Sequence, residues 1–269
     1  MSKVQSPKSN DGTTTSSGTY DRRRHNSDRG QAHLSGADIG LWTLDIGLAV
    51  TDLRKTFSSP SGESIEVLRG VSFSAEAGKT IAIVGPSGVG KSTLLHLIGG
   101  IEGPDHGSMK LGEFEVNGAG SLALARYRNR QVGFVFQFHH LLPDLSAAEN
   151  VSLPLTLARH DRRSAMRSAF EALDRLGLST RASHRVTDLS GGEQQRVAVC
   201  RALITQPVLV LADEPTGNLD SISGGLLAGD LISYATARPA IVIIATHNQD
   251  LAHRCDRVLR LEHGRISEN

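Results

Sequence analysis

The residues with the clearest chemical potential form one short loop of the sequence. Gly85, Gly90, Lys91 and Ser92 match the spacing G-x-x-x-x-G-K-[ST], with a further glycine at Gly88. Glycines let the main chain bend tightly and bring its N–H groups close to phosphate oxygens, the lysine can reach the β- and γ-phosphates, and the hydroxyl is a ligand for Mg²⁺. The pattern predicts a site for a nucleoside triphosphate such as ATP, formed by Gly85, Pro86, Ser87, Gly88, Val89, Gly90, Lys91, Ser92 and Thr93.

The flanking residues predict the strand and the helix that such a loop requires. Thr80–Val84 is a β-branched apolar run typical of a buried strand, and Leu94–Ile98 is the apolar beginning of a helix. The helix N-terminus adds partial positive charge and unpaired N–H donors. A glycine-rich turn that binds nothing is the alternative, and the order of strand, loop, lysine and hydroxyl favours phosphate binding.

Two carboxylates follow the apolar run 208–212, namely Asp213 and Glu214. Ligands of open α/β sheets bind at the carboxyl ends of the strands, and phosphoryl transfer needs carboxylates there. We expect Asp213 to hold Mg²⁺ and Glu214 to polarise the attacking water. Two acidic residues at a strand end are often only a solvated terminus, but the phosphate loop earlier in the chain favours catalysis.

A second anion site is indicated at Ser190, Gly191 and Gly192, which precede an apolar helical pattern. A hydroxyl and free N–H groups at a helix start suit a phosphate. Alone, Ser-Gly-Gly is weak evidence, because it can simply be a helix cap.

Bulk properties exclude several other classes. Basic and acidic residues nearly cancel, 29 against 28 in 269 residues, so no nucleic-acid partner is expected. The two cysteines have no metal or redox spacing, which predicts a reducing, cytosolic compartment. No apolar run approaches the roughly 20 residues of a membrane span, and the N-terminus has no apolar segment of a signal peptide. A membrane role would therefore need a membrane partner.

Composition and periodicity predict the domain organisation. Residues 1–45 are rich in Ser, Thr, Gly, Asp and Arg and predict a disordered tail, in which Arg22–Arg24 is balanced by nearby acids and is more consistent with solvation than with a binding arm. Residues 46–269 predict one α/β domain with a buried parallel sheet. Ser146–Glu149 is a capping box, and 162–176 has helical spacing of Met166, Phe170, Leu173 and Leu176, so residues 138–205 predict a helical insertion.

The run L-S-G-G-E-Q-Q-R at 189–196, between the phosphate loop and Asp213-Glu214, resembles the signature of the ABC ATPases. The resemblance covers about residues 48–267. It implies a P-loop NTPase fold with a RecA-like core, an antiparallel β subdomain and a helical subdomain, and a head-to-tail homodimer in which the signature serine and glycines complete the partner's ATP site. By the family's pattern, Gln137 meets Mg²⁺, Asp220 lies in the D-loop beside the nucleotide, and His247 contacts the γ-phosphate.

The resemblance also places Phe57 where the family stacks an aromatic ring on adenine, and this role is favoured over that of an ordinary core aromatic. The catalytic set implied is Lys91, Glu214 and His247. In the same family, F-H-H-L-L-P-D at 138–144 is similar to the ATPase subunits of lipoprotein-releasing complexes. It implies a peripheral subunit on the cytoplasmic face of the inner membrane, with permease subunits docking near Gln137–Pro143 through exposed Leu141, Leu142 and Pro143.

Two other groups of ABC ATPases, with different functions, share some of these motifs. A-D-E-P-T-G-N-L-D at 212–220 is shared with macrolide-efflux ATPases and with a cell-division ATPase that signals without transport. Efflux proteins of the fused kind carry a membrane domain that this sequence lacks. The 138–144 segment favours lipoprotein release over both. His139-His140 has no carboxylate or cysteine at ligand spacing, so a metal site there is not expected.

Overall fold

The computed structural model describes residues 47–58 and 62–268. The strands of that part are β1 Leu48–Ser58, β2 Ser64–Ala75, β3 Thr80–Val84, β4 His106–Leu111, β5 Phe114–Glu115, β6 Val132–Val135, β7 Leu209–Asp213, β8 Ile241–Ala245, β9 Arg257–Glu262 and β10 Arg265–Glu268. Its helices are α1 Lys91–Ile98, α2 Ser121–Arg130, α3 Ala147–Leu157, α4 Arg162–Arg175, α5 Gly191–Leu203, α6 Ser221–Ala237 and α7 Gln249–His253, with short 3₁₀ turns at Ser179–Arg181 and Val186–Asp188.

The principal sheet has the strand order β10-β9-β3-β8-β7-β6 and is parallel except for β10, which pairs antiparallel with β9. Side chains alternate along β7: Leu209 and Leu211 belong to one core cluster, whereas Val210 and Ala212 belong to another that also contains residues of α5 and α6. Because both faces are covered, these strands consist of continuous apolar runs. The parallel sheet that the sequence predicts is confirmed.

A second, antiparallel sheet has the order β2-β1-β4-β5. Its buried residues, among them Leu53 and Met109, share one cluster with Ile81 of β3 and Leu94 of α1. The sheet therefore packs beside the phosphate loop and its helix. Together with the helical segment, it confirms the predicted fold class.

The helical segment comprises α3, α4 and one face of α5 around their own apolar cluster. Helix α4 forms where its spacing predicts, and it ends before Gly177, whose φ of 70° suits a glycine C-cap. Its buried face differs from the expected one: Ala165, Ala169, Ala172 and Leu173 are buried, whereas Phe170 is exposed. Small alanines allow close helix packing, so the phenylalanine is not needed there.

Helices α2 and α7 and strand β10 were not found from the sequence. Helix α2 has mostly polar and basic residues around buried Tyr127, α7 has only five residues, and β10 is a short edge strand. The predicted tail at 1–45 lies outside the described residues. None of the helices in the described ranges is long and apolar enough to cross a bilayer.

Candidate nucleotide site

The phosphate loop connects β3 to α1, as the sequence predicts, and two of its glycines are required by close approach. Gly85 has a φ of 156°, and a Cβ there would lie 2.3 Å from the Leu261 carbonyl oxygen of β9. Gly90 has a φ of 108°, and a Cβ would lie 2.7 Å from Val67 Cγ1. The loop is thus bound closely by β9 and β2, and a side chain at either position would displace the main chain.

Lys91 is the most buried charged group of the loop. Its side chain is 7% exposed, and its Nζ donates to the carbonyl oxygens of Gly85 at 2.9 Å and Pro86 at 3.2 Å. A buried ammonium whose hydrogen bonds go to neutral carbonyls is only partly compensated. An anion in the curve of the loop would compensate it, so the site fits a phosphate.

Ser92 and Asp213 bring oxygen ligands together beside Lys91. The Ser92 side chain is hydrogen-bonded to Asp213, whose pKa is raised by burial and by the nearby Glu214 carboxylate, while Ser92 and Lys91 oppose the rise. A hydroxyl and a carboxylate are ligands that Mg²⁺ prefers, and a cation would compensate the two adjacent acids. The residues present therefore fit the metal that the sequence implies.

Glu214 is held in place from the end of β8. Its Oε1 lies 2.9 Å from His247 Nδ1, and its Oε2 accepts from Thr246 Oγ1 at 3.2 Å and from the His247 main-chain N–H at 3.3 Å. Its main-chain N–H donates to the Ala245 carbonyl at 2.8 Å, and its φ is 45°. A non-glycine residue persists in this region only when its surroundings fix it.

This pair of side chains differs in exposure in a way that suits catalysis. The Glu214 side chain is 12% exposed and that of His247 is 69% exposed. The carboxylate is therefore fixed and largely dehydrated, whereas the imidazole is accessible to a ligand. Thr246 is buried, its hydroxyl donates to Glu214, and it accepts from the main-chain N–H of Asn248. This role was not predicted from the sequence, where the only indication is a position directly after a buried strand.

Two other predicted residues, Gln137 and Asp220, follow strands β6 and β7 of the same sheet. Gln137 follows β6 and is exposed, and its carbonyl accepts from Asn218 Nδ2 at 3.2 Å. Asp220 is the N-cap of α6 and accepts from the main-chain N–H groups of Ile222 and Ser223. Those bonds lower the Asp220 pKa, so the carboxylate is ionised and serves the helix.

Phe57 lies near the end of β1 with its ring 38% exposed and Lys55 Nζ at 5.3 Å from the ring centroid. The exposure excludes the alternative of an ordinary core aromatic. Lys55 lies over part of the ring, and the exposed remainder is available for stacking. Adenine stacking at Phe57 stays a prediction.

The signature residues form the start of α5. Ser190 and Glu193 make a capping box: the Ser190 Oγ accepts from the Glu193 N–H at 3.3 Å and donates to Glu193 Oε2 at 2.8 Å. A Cβ on Gly192 would lie 3.4 Å from Leu219 Cδ2, so the glycine is beside the loop that follows Glu214. The N–H groups of Gly191 and Gly192 donate to no residue in the described ranges.

The site defines a class of protein. A parallel sheet carries a phosphate loop after its central strand and two carboxylates after a nearby strand, with an imidazole between them. That is the arrangement of an α/β ATPase with a P-loop.

The comparisons with known proteins give the family. Residues 68–217 match the family model described as "ABC transporter". The chain is 47% identical over 219 residues to the lipoprotein-releasing system ATP-binding protein LolD of Cereibacter sphaeroides, covering 81% of this chain and 98% of the relative. The LolD protein of Geobacter metallireducens is 47% identical over 220 residues, covering 81% and 97%.

A solved structure agrees with these relatives. The dimeric post-hydrolysis state of the ATP-binding cassette MJ0796 bound to ADP and Pi has a TM-score of 0.78 and 33% identity, covering 82% of this chain and 97% of that one. The chain belongs to the ABC transporter family. It is an ATP-binding and ATP-hydrolysing subunit similar to those of lipoprotein-releasing systems, and this prediction from the sequence is confirmed.

Proposed function

We propose that this ATPase drives the release of lipoproteins from the bacterial inner membrane, at whose cytoplasmic face it binds a pair of permease subunits. The observation that carries the assignment is the 47% identity to LolD proteins over 98% of their length. The dimeric cassette at 33% identity supports a head-to-tail dimer in which Ser190, Gly191 and Gly192 cover the partner's nucleotide.

The residues take the following roles in ATP hydrolysis. Lys91 and the N–H groups of the phosphate loop bind and orient the phosphates, and Ser92, Asp213 and Gln137 would hold Mg²⁺, which when bound neutralises phosphate charge. Glu214 accepts a proton from the attacking water, because its carboxylate is fixed and poorly hydrated. His247, accessible beside Glu214, contacts the γ-phosphate. Phe57 stacks on adenine, and Asp220 fixes the start of α6 next to the dimer interface.

The permease would dock on residues Gln137–Pro143, which we call the docking segment. A pocket of about 230 Å³ opens there, which is room for one or two apolar side chains from a helix of a membrane subunit. Phe138 is 71% exposed and Leu142 is also exposed, but Leu141 is half-buried against the helical cluster and does not offer the free surface expected of it. The pocket is lined by Phe138, His139, His140, Leu141, Pro143, Val186, Thr187 and Gln194.

The test is affinity purification of tagged Glu214→Gln from detergent-solubilised membranes with ATP. Loss of the general base is expected to reduce the hydrolysis rate by about 10²–10⁴-fold while binding persists, so the dimer and its permease stay assembled. Glu115→Gln, an exposed glutamate on β5, is the matched control and should hydrolyse at the wild-type rate. The expected partner is a permease pair whose depletion leaves lipoproteins in the inner membrane. Recovery of an efflux or cell-division permease instead would disprove the proposal that lipoproteins are the cargo.

A further inference from the structure

The main chain of the docking segment is held by one side chain from helix α5 and one from the loop between β7 and α6. Arg201 of α5 donates from Nη1 to the His140 carbonyl and from Nη2 to the His139 carbonyl, each at 2.7 Å. Asn218 donates to the Gln137 carbonyl at 3.2 Å. Three of the first four carbonyls of the segment are therefore fixed from outside it.

The other side of the segment rests on aromatic rings. The His140 ring packs edge-on against Phe136 at a centroid distance of 5.0 Å, and Phe136 stacks on Phe134 at 5.2 Å. His140 itself has a φ of 47°. This conformation costs free energy, and the bonds from Arg201 together with the ring contact are what maintain it.

Within the described ranges, the Arg201 guanidinium makes no hydrogen bond to any group other than the two carbonyls. It takes part in no ion pair there, and its bonding is the fork to two adjacent carbonyls. The neighbouring His139 ring is no alternative partner, because burial and the Arg201 charge both lower its pKa and its buried Nε2 makes no bond to a described residue. The guanidinium is committed to the main chain of the docking segment.

We propose that Arg201 is a positioning residue that couples the signature helix to the docking segment and to Gln137. Helix α5 begins at the signature residues and carries Arg201 near its other end. A helix moves as a rigid element, so a displacement of its N-terminus by phosphate reaches the carbonyls of His139 and His140 through the guanidinium. The inference rests on the proposed roles of Ser190 and Gln137 at the nucleotide.

The geometry requires arginine in particular. A planar fork with two parallel donors can hold two successive carbonyls at once. Lysine has one compact ammonium on a flexible stem and would hold one of them loosely. Arg201→Lys should therefore act between the wild type and Arg201→Gln.

The test is hydrogen exchange and steady-state ATPase kinetics on the full chain. Without the fork, amide exchange in the docking segment should rise on the order of tenfold in Arg201→Gln, and less in Arg201→Lys. The kcat for ATP should fall on the order of fivefold with KM within about twofold of wild type, because the phosphate loop that binds ATP is unchanged, whereas the loosened docking segment positions Gln137 poorly for hydrolysis.

The matched control is Arg128→Gln, which removes a partly buried guanidinium bond of 2.6 Å to the Gly100 carbonyl, far along the chain from the docking segment. It should change the melting temperature without the local exchange effect. An equal exchange rise in both variants, or an unchanged docking segment in Arg201→Gln, would overturn the proposal. Both experiments use this chain alone, so a different cargo or permease would leave their outcome unaffected.

Discussion

Helices α3 and α5 begin with the same four-residue pattern, Ser-x-x-Glu, and their caps have nearly the same geometry. Ser146 Oγ accepts from the Glu149 N–H at 3.2 Å and Ser190 Oγ accepts from the Glu193 N–H at 3.3 Å. Each glutamate returns a bond to the serine N–H, at 2.9 Å and 2.8 Å. The local cap is therefore the same structure twice.

The next two residues make the difference. In α3, the Ala147 N–H donates to the His184 carbonyl and the Ala148 N–H to the Ala182 carbonyl, both at 2.9 Å, and both alanines are buried. In α5, the corresponding residues are Gly191 and Gly192, whose N–H groups have no acceptor in the described ranges. One helix start is satisfied by its own chain, whereas the first N–H groups of the other have no acceptor among the described residues.

The comparison shows that a capping box does not itself indicate a binding site. The two helix starts differ in whether the first N–H groups after the cap residue have acceptors in the described part of the chain. Alanines allow burial against a neighbouring loop, while glycines leave the main chain accessible.

The largest expected effect is a loss of ATPase activity, without a loss of stability, when the start of α5 is changed. Gly192→Asp places a carboxylate at the positive end of the helix, where it favours the helix but repels phosphate. We expect ATPase activity to fall by about 100-fold, comparable with removal of a transition-state donor, with an unchanged or slightly higher melting temperature. Gly120→Asp at the exposed N-cap of α2 adds the same charge and should hydrolyse normally. Normal turnover in Gly192→Asp would show that α5 binds no phosphate.

A smaller effect should separate the two serines. Ser146→Ala and Ser190→Ala each lose a cap worth about 1 kcal/mol of unfolding free energy. Only Ser190→Ala should also lower kcat, by about tenfold, because its hydroxyl lies with the free donors. Chemical denaturation and ATPase assays on both variants check this. Equal kcat values would mean that the two caps are functionally equivalent.

The smallest effect concerns pH and should be alike at both helices. Main-chain and hydroxyl bonds from the cap serine lower the pKa of Glu149 and of Glu193, with Arg181 adding to the latter. A lowered folded-state pKa means that the stabilisation is present above the unfolded value, near 4.5, and is lost as pH falls through the folded value.

Glu149→Gln and Glu193→Gln should therefore reduce the urea midpoint at pH 7, and the difference from wild type should shrink as pH falls through the folded-state pKa. The measurement is the midpoint of urea unfolding over a pH series from 7 into the acid range. A pH-independent loss in either variant would mean that its carboxylate charge does not contribute to the cap.

Much of this site could be predicted because its residues follow elements that the sequence marks clearly. Lys91 follows a β-branched strand and Glu214 follows another, and a parallel sheet brings such positions to one edge. The residues that hold them were less visible. Thr246 and Arg201 act through contacts across elements distant in sequence, and neither has a local pattern.

Packing details were the other limit. The spacing of α4 predicts a helix, but it cannot say that alanines rather than Phe170 face the core, because close packing of α3 and α4 selects small side chains. Leu141 is half-buried for a similar reason, since the docking segment folds back onto the helical cluster.

The strand order of the principal sheet has a consequence for how the chain is made. The phosphate-loop strand β3 has β8 on one side and β9 on the other, and neither begins before Ile241. During synthesis on the ribosome, β3 therefore emerges with both edges unpaired and stays so while the helical segment is translated. An apolar strand in that condition is a template for wrong pairing. Correct pairing of β3 therefore has to wait until both β8 and β9 have been synthesised.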